Sequence, residues 1–373
     1  MLIAIATGDG LREKIRSKVS GFKGHIQITK YDANNSDISV MPIDKNQNFY
    51  PKFSTIKGIK NIQIYANQVG LIRTKTDFEG VVFKGVSTDY DWTFFNEYLI
   101  AGKTPNFNQE RTRDILLSKT IVDRLKLKLN DTINVTFFKS KVSKLPSNRK
   151  LVITGIYNTG FLEFDKNMMI GDIRQIQRLN RWDSQEIGRL EVLAHDHADI
   201  DALTRELYDL APVTVDAMSM YASFYNIFEW LSLFDFNIYL IIFIMILVAT
   251  INMVTALIVL ILERTRMIGI FQVMGAGNWR LQKIFLLQAA YIVLWGLFWG
   301  NLLGLGCVWI QDAWQLIELD PKTYYVHSAP VSLPIEAWGL LNLSTFVLCL
   351  LFLLIPSYLV AQISPVRALR FDG

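Results

Sequence analysis

The chain has 373 residues, 51% of them hydrophobic, with a mean hydropathy of +0.25 and a formal net charge of +4. That hydropathy is too high for an ordinary soluble chain and too low for one made only of membrane spans, so the apolar excess must be concentrated somewhere. Basic residues are mixed with acidic ones and form no stripe, which excludes nucleic acid as a partner.

The first stretch, "MLIAIATGDGLREKIRSKV", opens with six apolar residues and only then becomes charged, the reverse of a secretory signal. Six residues cannot cross ~30 Å of hydrocarbon. Residues 1–21 are therefore expected to be the end of a truncated first transmembrane helix whose upstream part lies outside this chain. The strand candidate "HIQITKY" follows, then a polar linker. Four further runs, "NIQIYANQVGLIRT", "EGVVFKGVS", "DTINVTFF" and "KLVITGIYN", alternate with period two between turn residues and read as strands. Helical spacing appears in "SKTIVDRLKLKL", where Ile121, Leu125 and Leu129 would share a face, and in "ADIDALTRELYDLAP". Residues 22–216 are expected to form an α+β extracytoplasmic domain.

Charge supports that division, since 31 of the 38 basic and 28 of the 34 acidic residues precede residue 236. After it come three uncharged runs, 236–262, 284–311 and 337–366, each at or above the ~20 residues a spanning helix needs. Residues 217–262 lack Gly and Pro and read as one continuous stalk and transmembrane helix, about 69 Å long at 1.5 Å per residue. The remaining expected segments are a cytoplasmic connection at 263–283, a span at 284–311, an external loop at 312–336, a span at 337–361 and a tail at 362–373. The connection holds Arg264, Arg266, Arg280 and Lys283, and the tail holds Arg367 and Arg370. The external loop has Lys322 against four acids, so short-loop charge puts the connection and C-terminus in the cytoplasm and the large domain outside it. Gly296, Gly300 and Gly304, spaced by four, predict a smooth helix-packing strip. Cys307 and Cys349 both fall in apolar spans and read as packing residues.

A search for catalytic patterns finds no phosphate-binding loop, no H-E-x-x-H, no C-x-x-C and no G-x-S-x-G. "HDH" at 195–197 offers two imidazoles without a third ligand nearby in sequence, and reads as a solvated turn and not a metal site. The spans contain no Asp, Glu, Lys or Arg, which argues against an ion relay. Any work must draw its energy from elsewhere.

The connection "ERTRMIGIFQVMGAGNWRLQK", with the spans and tail around it, resembles the permease family of FtsX and MacB type, membrane subunits of ABC transporters. That family shows Glu-Arg-x-x-Glu-Ile-Gly after its second helix and then a Gly-Ala turn. Glu263, Arg264, Ile268, Gly269, Gly275 and Ala276 match, while Met267 stands where an acid is usual. Within the family, "GFKGHIQI", "TGFLEFD" and "YYVHSAPVSLP" resemble the lipoprotein-releasing branch typified by LolC and LolE. The resemblance implies a MacB-like periplasmic core joined to an α-helical bundle in a bacterial inner membrane. It also implies no catalysis or cofactor of its own, ATP being bound by a partner ATPase. Further implied partners are a second permease copy or paralogue, a lipoprotein or periplasmic carrier, and membrane lipid. A MacB-like macrolide or peptide exporter and an FtsX-like transmitter to cell-wall hydrolases are the alternative functions.

Under this reading residues 264–274 form a short interfacial helix, with Gly275 as its C-terminal cap and Asn278 as N-cap of the next. Ile268, Phe271 and Met274 would fill a groove in the ATPase, with Arg264 and Arg266 beside its surface charge. The coupling residues are thus Glu263, Arg264, Arg266, Ile268, Gly269, Phe271, Met274, Gly275 and Ala276.

Overall fold

The computed structural model describes residues 1–31, 41–51, 53, 56–107, 111–138, 146–195 and 198–357. Arg367, Arg370 and His197 lie outside these residues, so the tail charge and the "HDH" reading do too. The chain divides into two compact units, one of residues 14–228 with 319–327, the other of residues 1–13, 229–318 and 328–373.

The first unit is built on a ten-stranded sheet. Helix α1 (Leu2–Lys23) leads through Gly24, whose φ of +71° only glycine adopts freely, into β1 (Ile26–Lys30). Then follow β2 (Ile43–Asp44), the long β3 (Ile59–Arg73) and β4 (Phe78–Val86), α2 (Thr93–Glu97), β5 (Leu99–Gly102), β6 (Asp114–Ser118) and α3 (Lys119–Leu125). The next elements are β7 (Thr132–Phe137), β8 (Ser147–Tyr157), α4 (Leu162–Asp165), β9 (Met168–Asp172) and α5 (Ile173–Asn180). The unit continues with β10 (Glu186–Ile187), β11 (Arg189–Ala194), α6 (Ile200–Leu210), β12 (Val215–Ser219) and α7 (Met220–Ser223). The sheet runs β12-β1-β11-β3-β4-β9-β6-β8-β5, with β7 pairing β3 and β8. Only β4/β9 and β6/β8 are parallel among these pairs.

Alternation along β3 sorts its side chains. Ile62, Ile64 and Ala66 enter the apolar core with Ile121, Ile176 and Leu203 from the covering helices. The intervening Gln63, Tyr65 and Asn67 face the other way, and so do their cross-strand partners Glu191 and Lys84. That second face is buried as well. Phe22, near the end of α1, packs its ring against Phe94, Phe95, Tyr157 and Phe164. Beneath them Lys84 Nζ donates to Glu191 Oε2 at 2.7 Å and to the Phe22 carbonyl at 2.6 Å, with both charged side chains wholly buried. Burial pushes the Lys84 ammonium down and the Glu191 carboxyl up.

Two sequence expectations are corrected. The helix read over 118–129 stops at Leu125 because Lys126 turns left-handed (φ 52°) and Leu127 N–H returns to the Val122 carbonyl at 2.9 Å. Leu129 still packs against the same core from the following turn. The continuous stalk read from 217 does not begin there. Residues 215–219 form β12, with Val215, Ala217 and Ser219 buried in strict alternation and paired to β1, so the long helix starts at Tyr225.

The second unit holds α8 (Tyr225–Glu263), α9 (Thr265–Val273), α10 (Asn278–Trp314) and α12 (Ile335–Ser357), while α11 (Pro321–Tyr324) precedes α12 in the chain. Among the described residues α8, α10 and α12 are the helices long and apolar enough to cross a membrane. α8, at 39 residues, is about 58 Å long. α10 and α12 are joined by a polar clasp: Trp338 Nε1 and Asn342 Nδ2 both donate to Asn301 Oδ1, at 2.8 and 3.1 Å. Such bonds matter inside a bilayer, where water offers no alternative partner. On α10, Gly296 and Gly300 have open space where a Cβ would stand, whereas a Cβ on Gly304 would come 3.1 Å from Leu2 Cδ1 of α1. The strip therefore packs at one of its three positions.

Candidate coupling site

α8 hands over to α9 without a loop. Arg264 leaves helical geometry (φ −100°, ψ 13°), yet its N–H still bonds the Leu260 carbonyl at 3.2 Å, and Ile268 N–H bonds the Arg264 carbonyl at 3.0 Å. α9 ends in a Schellman motif: Ala276 N–H reaches the Phe271 carbonyl at 2.9 Å and Gly275 N–H the Gln272 carbonyl at 3.0 Å. Gly275 has φ +89° and nothing within 4 Å of a built Cβ, so glycine is required there by conformation and not by space. α10 then begins at Asn278 with Gly277 as its extended N-cap, which corrects the assignment of Asn278 as cap.

The side chains of α9 separate into two sets. Ile268 is fully buried with Leu257, Ile261, Leu281, Phe285 and Leu353, and Gly269 is buried beside it. Ile268 is thus an anchor holding α9 to α8, α10 and α12, and it is not free to fill a partner's groove as the sequence suggested. Met267 and Ala276 are partly buried against the same cluster. The outward set is Ile270 (47% exposed), Phe271 (38%), Val273 (67%) and Met274 (77%). Ile270 and Val273 were missed from the sequence. The signal for them was present, because once Ile268 is fixed as inward, helical spacing turns 270, 273 and 274 away from it, with Phe271, three residues on, at the edge of the ridge. Glu263, Arg264 and Arg266 are exposed, as are Arg280 and Lys283, whose ammonium lies 5.5 Å from the Trp279 ring. The result is a short, rigidly based apolar ridge with a basic border. Among the described residues no group of His, Cys, Asp and Glu is placed to hold a metal.

In the sheet unit, two segments singled out from the sequence meet. Asp165 of "TGFLEFD" accepts from Thr159 Oγ1 at 2.8 Å, Thr159 N–H at 3.1 Å and Gly160 N–H at 2.9 Å. The His327 ring of "YYVHSAPVSLP" sits where a Cβ on Gly160 would go, and the Tyr325 ring packs at a tilt against Phe161, centre to centre 5.0 Å. Lys18 of α1, which the sequence did not mark, donates to the Tyr325 carbonyl at 3.1 Å. Burial raises the Asp165 carboxyl to about 6, and burial with Lys14 nearby lowers Lys18 to about 8.

Both shifts translate into pH dependence. Asp165's contribution to stability is fully present below 3.8 and is lost as pH rises through about 6; that of Lys18 is fully present above 10.5 and is lost as pH falls through about 8. Protection of this junction in hydrogen exchange, corrected for intrinsic rates, is expected to be lowest between these two values. Each limb should be worth on the order of 2–3 kcal/mol. Asp165→Asn is expected to remove the acid limb and Lys18→Met the alkaline limb, each leaving the other limb present and somewhat deeper because the opposing charge is gone; parallel pH profiles in wild type and both variants would dismiss the assignment.

Residues 239–365 match the family described as FtsX-like permease C-terminal. Over 389 aligned positions, the whole of this chain and 91% of the relative, the chain is 21% identical to the lipoprotein-releasing system transmembrane protein LolC of Neisseria meningitidis serogroup B. It is 20% identical over 275 positions to LolC of Xylella fastidiosa strain 9a5c, covering 69% of this chain and 65% of that protein's length. Among solved structures, the periplasmic region of MacB from Actinobacillus actinomycetemcomitans aligns with 57% of this chain and 97% of its own at 13% identity, with a TM-score of 0.39.

Proposed function

We propose that this chain, an ABC transporter permease of FtsX and LolC type, couples nucleotide hydrolysis by a separate ATPase to movement of its sheet domain, and that the movement releases lipoproteins from the inner membrane. The observation that carries the coupling is the exposed ridge Ile270, Phe271, Val273 and Met274, set on a helix whose opposite side is locked by Ile268. An apolar helical ridge seated in a partner's groove transmits displacement without any chemistry in the permease. α8 begins at Tyr225, six residues after the last strand of the sheet, and ends at the residue before Arg264. At about 58 Å it exceeds the ~30 Å of hydrocarbon, leaving length to carry motion outward. In this reading the ridge faces the cytoplasm and the sheet domain the periplasm, following the basic residues of 263–283. The narrower assignment to lipoprotein release rests on the likeness to LolC along the whole chain.

The test is Met274→Asp with Phe271→Asp in the tagged chain. The ATPase is expected to be lost from the purified complex, with affinity falling at least about tenfold, or ~1.4 kcal/mol, while the unfolding temperature stays that of the wild type. Undiminished copurification would overturn the coupling. Cargo is tested separately: depletion of the chain is expected to leave lipoproteins in the inner membrane, and normal sorting with retention of an exported small molecule or peptide would favour the MacB-like alternative.

A further inference from the structure

The helical unit contains a groove of about 250 Å³ between α1, α8 and α12. One end is charged. Arg12 Nη1 bonds Asp9 Oδ1 at 3.2 Å along α1, and Arg12 Nη2 pairs with Asp235 of α8. Two carboxylates share one guanidinium, so the cluster carries a residual charge of about −1. Arg12 remains 43% exposed and has N–H groups beyond the two engaged. Away from the charges the walls are mainly apolar, with Ile238 and Ile242 on α8 and Leu340 and Leu341 on α12, and Tyr239 and Ser344 bring the only hydroxyls of the lining. Ile238 and Ile242 follow Asp235 by three and seven residues and share its helix face, so the apolar part runs about 10 Å along the axis from the carboxylate.

Placement in the bilayer decides what such a groove meets. Asp235 is the last charge before the uncharged run of α8, and α8 and α12 are both long and apolar enough to span. The charged end therefore stands at headgroup level and the apolar end among acyl chains, open to lipid along its length. A ligand that satisfies both ends is an amphiphile whose head carries an ammonium for the carboxylates and an anion for the remaining guanidinium donors. Anionic lipids without an ammonium leave the carboxylates uncompensated. Choline lipids present a cation with no N–H to donate.

We propose that this groove is a binding site for a single phospholipid bearing a phosphoethanolamine headgroup, its phosphate on Arg12, its ammonium on Asp9 and Asp235, and one acyl chain along Ile238 and Ile242. The proposal needs the membrane insertion of α8 and α12 and nothing of the ATPase partner.

The test uses the full chain in nanodiscs holding phosphatidylethanolamine, phosphatidylglycerol and phosphatidylcholine in equal amounts with identical acyl chains, and reads the lipids retained after gentle release by native mass spectrometry. Phosphatidylethanolamine is expected to be enriched about fivefold over each competitor, at roughly 1.4 kcal/mol per tenfold. Asp9→Asn with Asp235→Asn should reduce that enrichment to about one while lipid is still retained. Ala337→Trp, filling the apolar part from α12, should lower retention of all three. Wild-type chain that retains the three lipids in the bilayer's own ratio overturns the proposal without recourse to any variant. So does undiminished enrichment in an Ala337→Trp chain that unfolds at the wild-type temperature.

Discussion

Lys84→Met is expected to destabilise the sheet domain by about 3–5 kcal/mol, the usual consequence of stranding one member of a buried ion pair. Lys84 makes three separate contributions. Its ammonium neutralises Glu191, it lies 4.9 and 5.1 Å from the ring centres of Tyr65 and Tyr90, and it caps the Phe22 carbonyl at the end of α1. The thioether of Met fills the volume but donates nothing, so Glu191 must either stay charged or take up a proton in a place water does not reach, with only Lys23 and the Gln63 side chain left to compensate it. Lys84→Met with Glu191→Leu removes both charges and is expected to recover most of the loss, because the penalty belongs to the unpaired charge and not to the missing attraction. Denaturant unfolding of the full chain in detergent gives the magnitude, and exchange protection of β4 and β11 gives its location. A loss below about 1 kcal/mol in the single variant would mean that Glu191 finds other compensation.

This pair also marks where sequence reading stops. The strands were legible because their periodicity is physical: in β7, Ile133, Val135 and Phe137 are buried while Thr132 and Asn134 stand exposed. The same logic assigns Gln63, Tyr65, Asn67, Lys84 and Glu191 to a wet face. They are dry because the end of α1 and the aromatic residues of α2 cover them, a contact between segments some seventy residues apart that no local pattern encodes. β12 failed for a related reason. "VDAMS" carries the strand alternation, but it runs without Gly or Pro into an apolar sequence, and only pairing with β1 shows where the strand ends. The ridge was half legible. The position of α9 and the left-handed Gly275 followed from the residues, whereas the inward turn of Ile268 depends on Leu281, Phe285 and Leu353, which lie on other helices.

Ile268→Ala and Met274→Ala should consequently separate the two roles that the sequence had merged. Truncating a fully buried Ile creates a cavity whose neighbours relax only in part, and a loss of about 2–4 kcal/mol in the stability of the helical unit is expected. Packing and not water exclusion supplies that figure within a bilayer, so the lower half of the range applies if lipid reaches the cluster. Met274, 77% exposed, has no comparable contacts to lose, and its truncation is expected to change stability by less than about 0.5 kcal/mol. On coupling the order differs. Met274→Ala removes part of the ridge itself and should weaken ATPase association with the fold intact, whereas Ile268→Ala leaves the ridge chemically complete but loosens its base. The expected signature of Ile268→Ala is an ATPase that still binds while its hydrolysis no longer responds to the permease. Thermal unfolding, pull-down and stimulated ATP hydrolysis on the same preparations distinguish these outcomes. If both substitutions lowered binding equally and stability not at all, Ile268 would have to face the partner, contrary to its burial against Leu257 and Phe285.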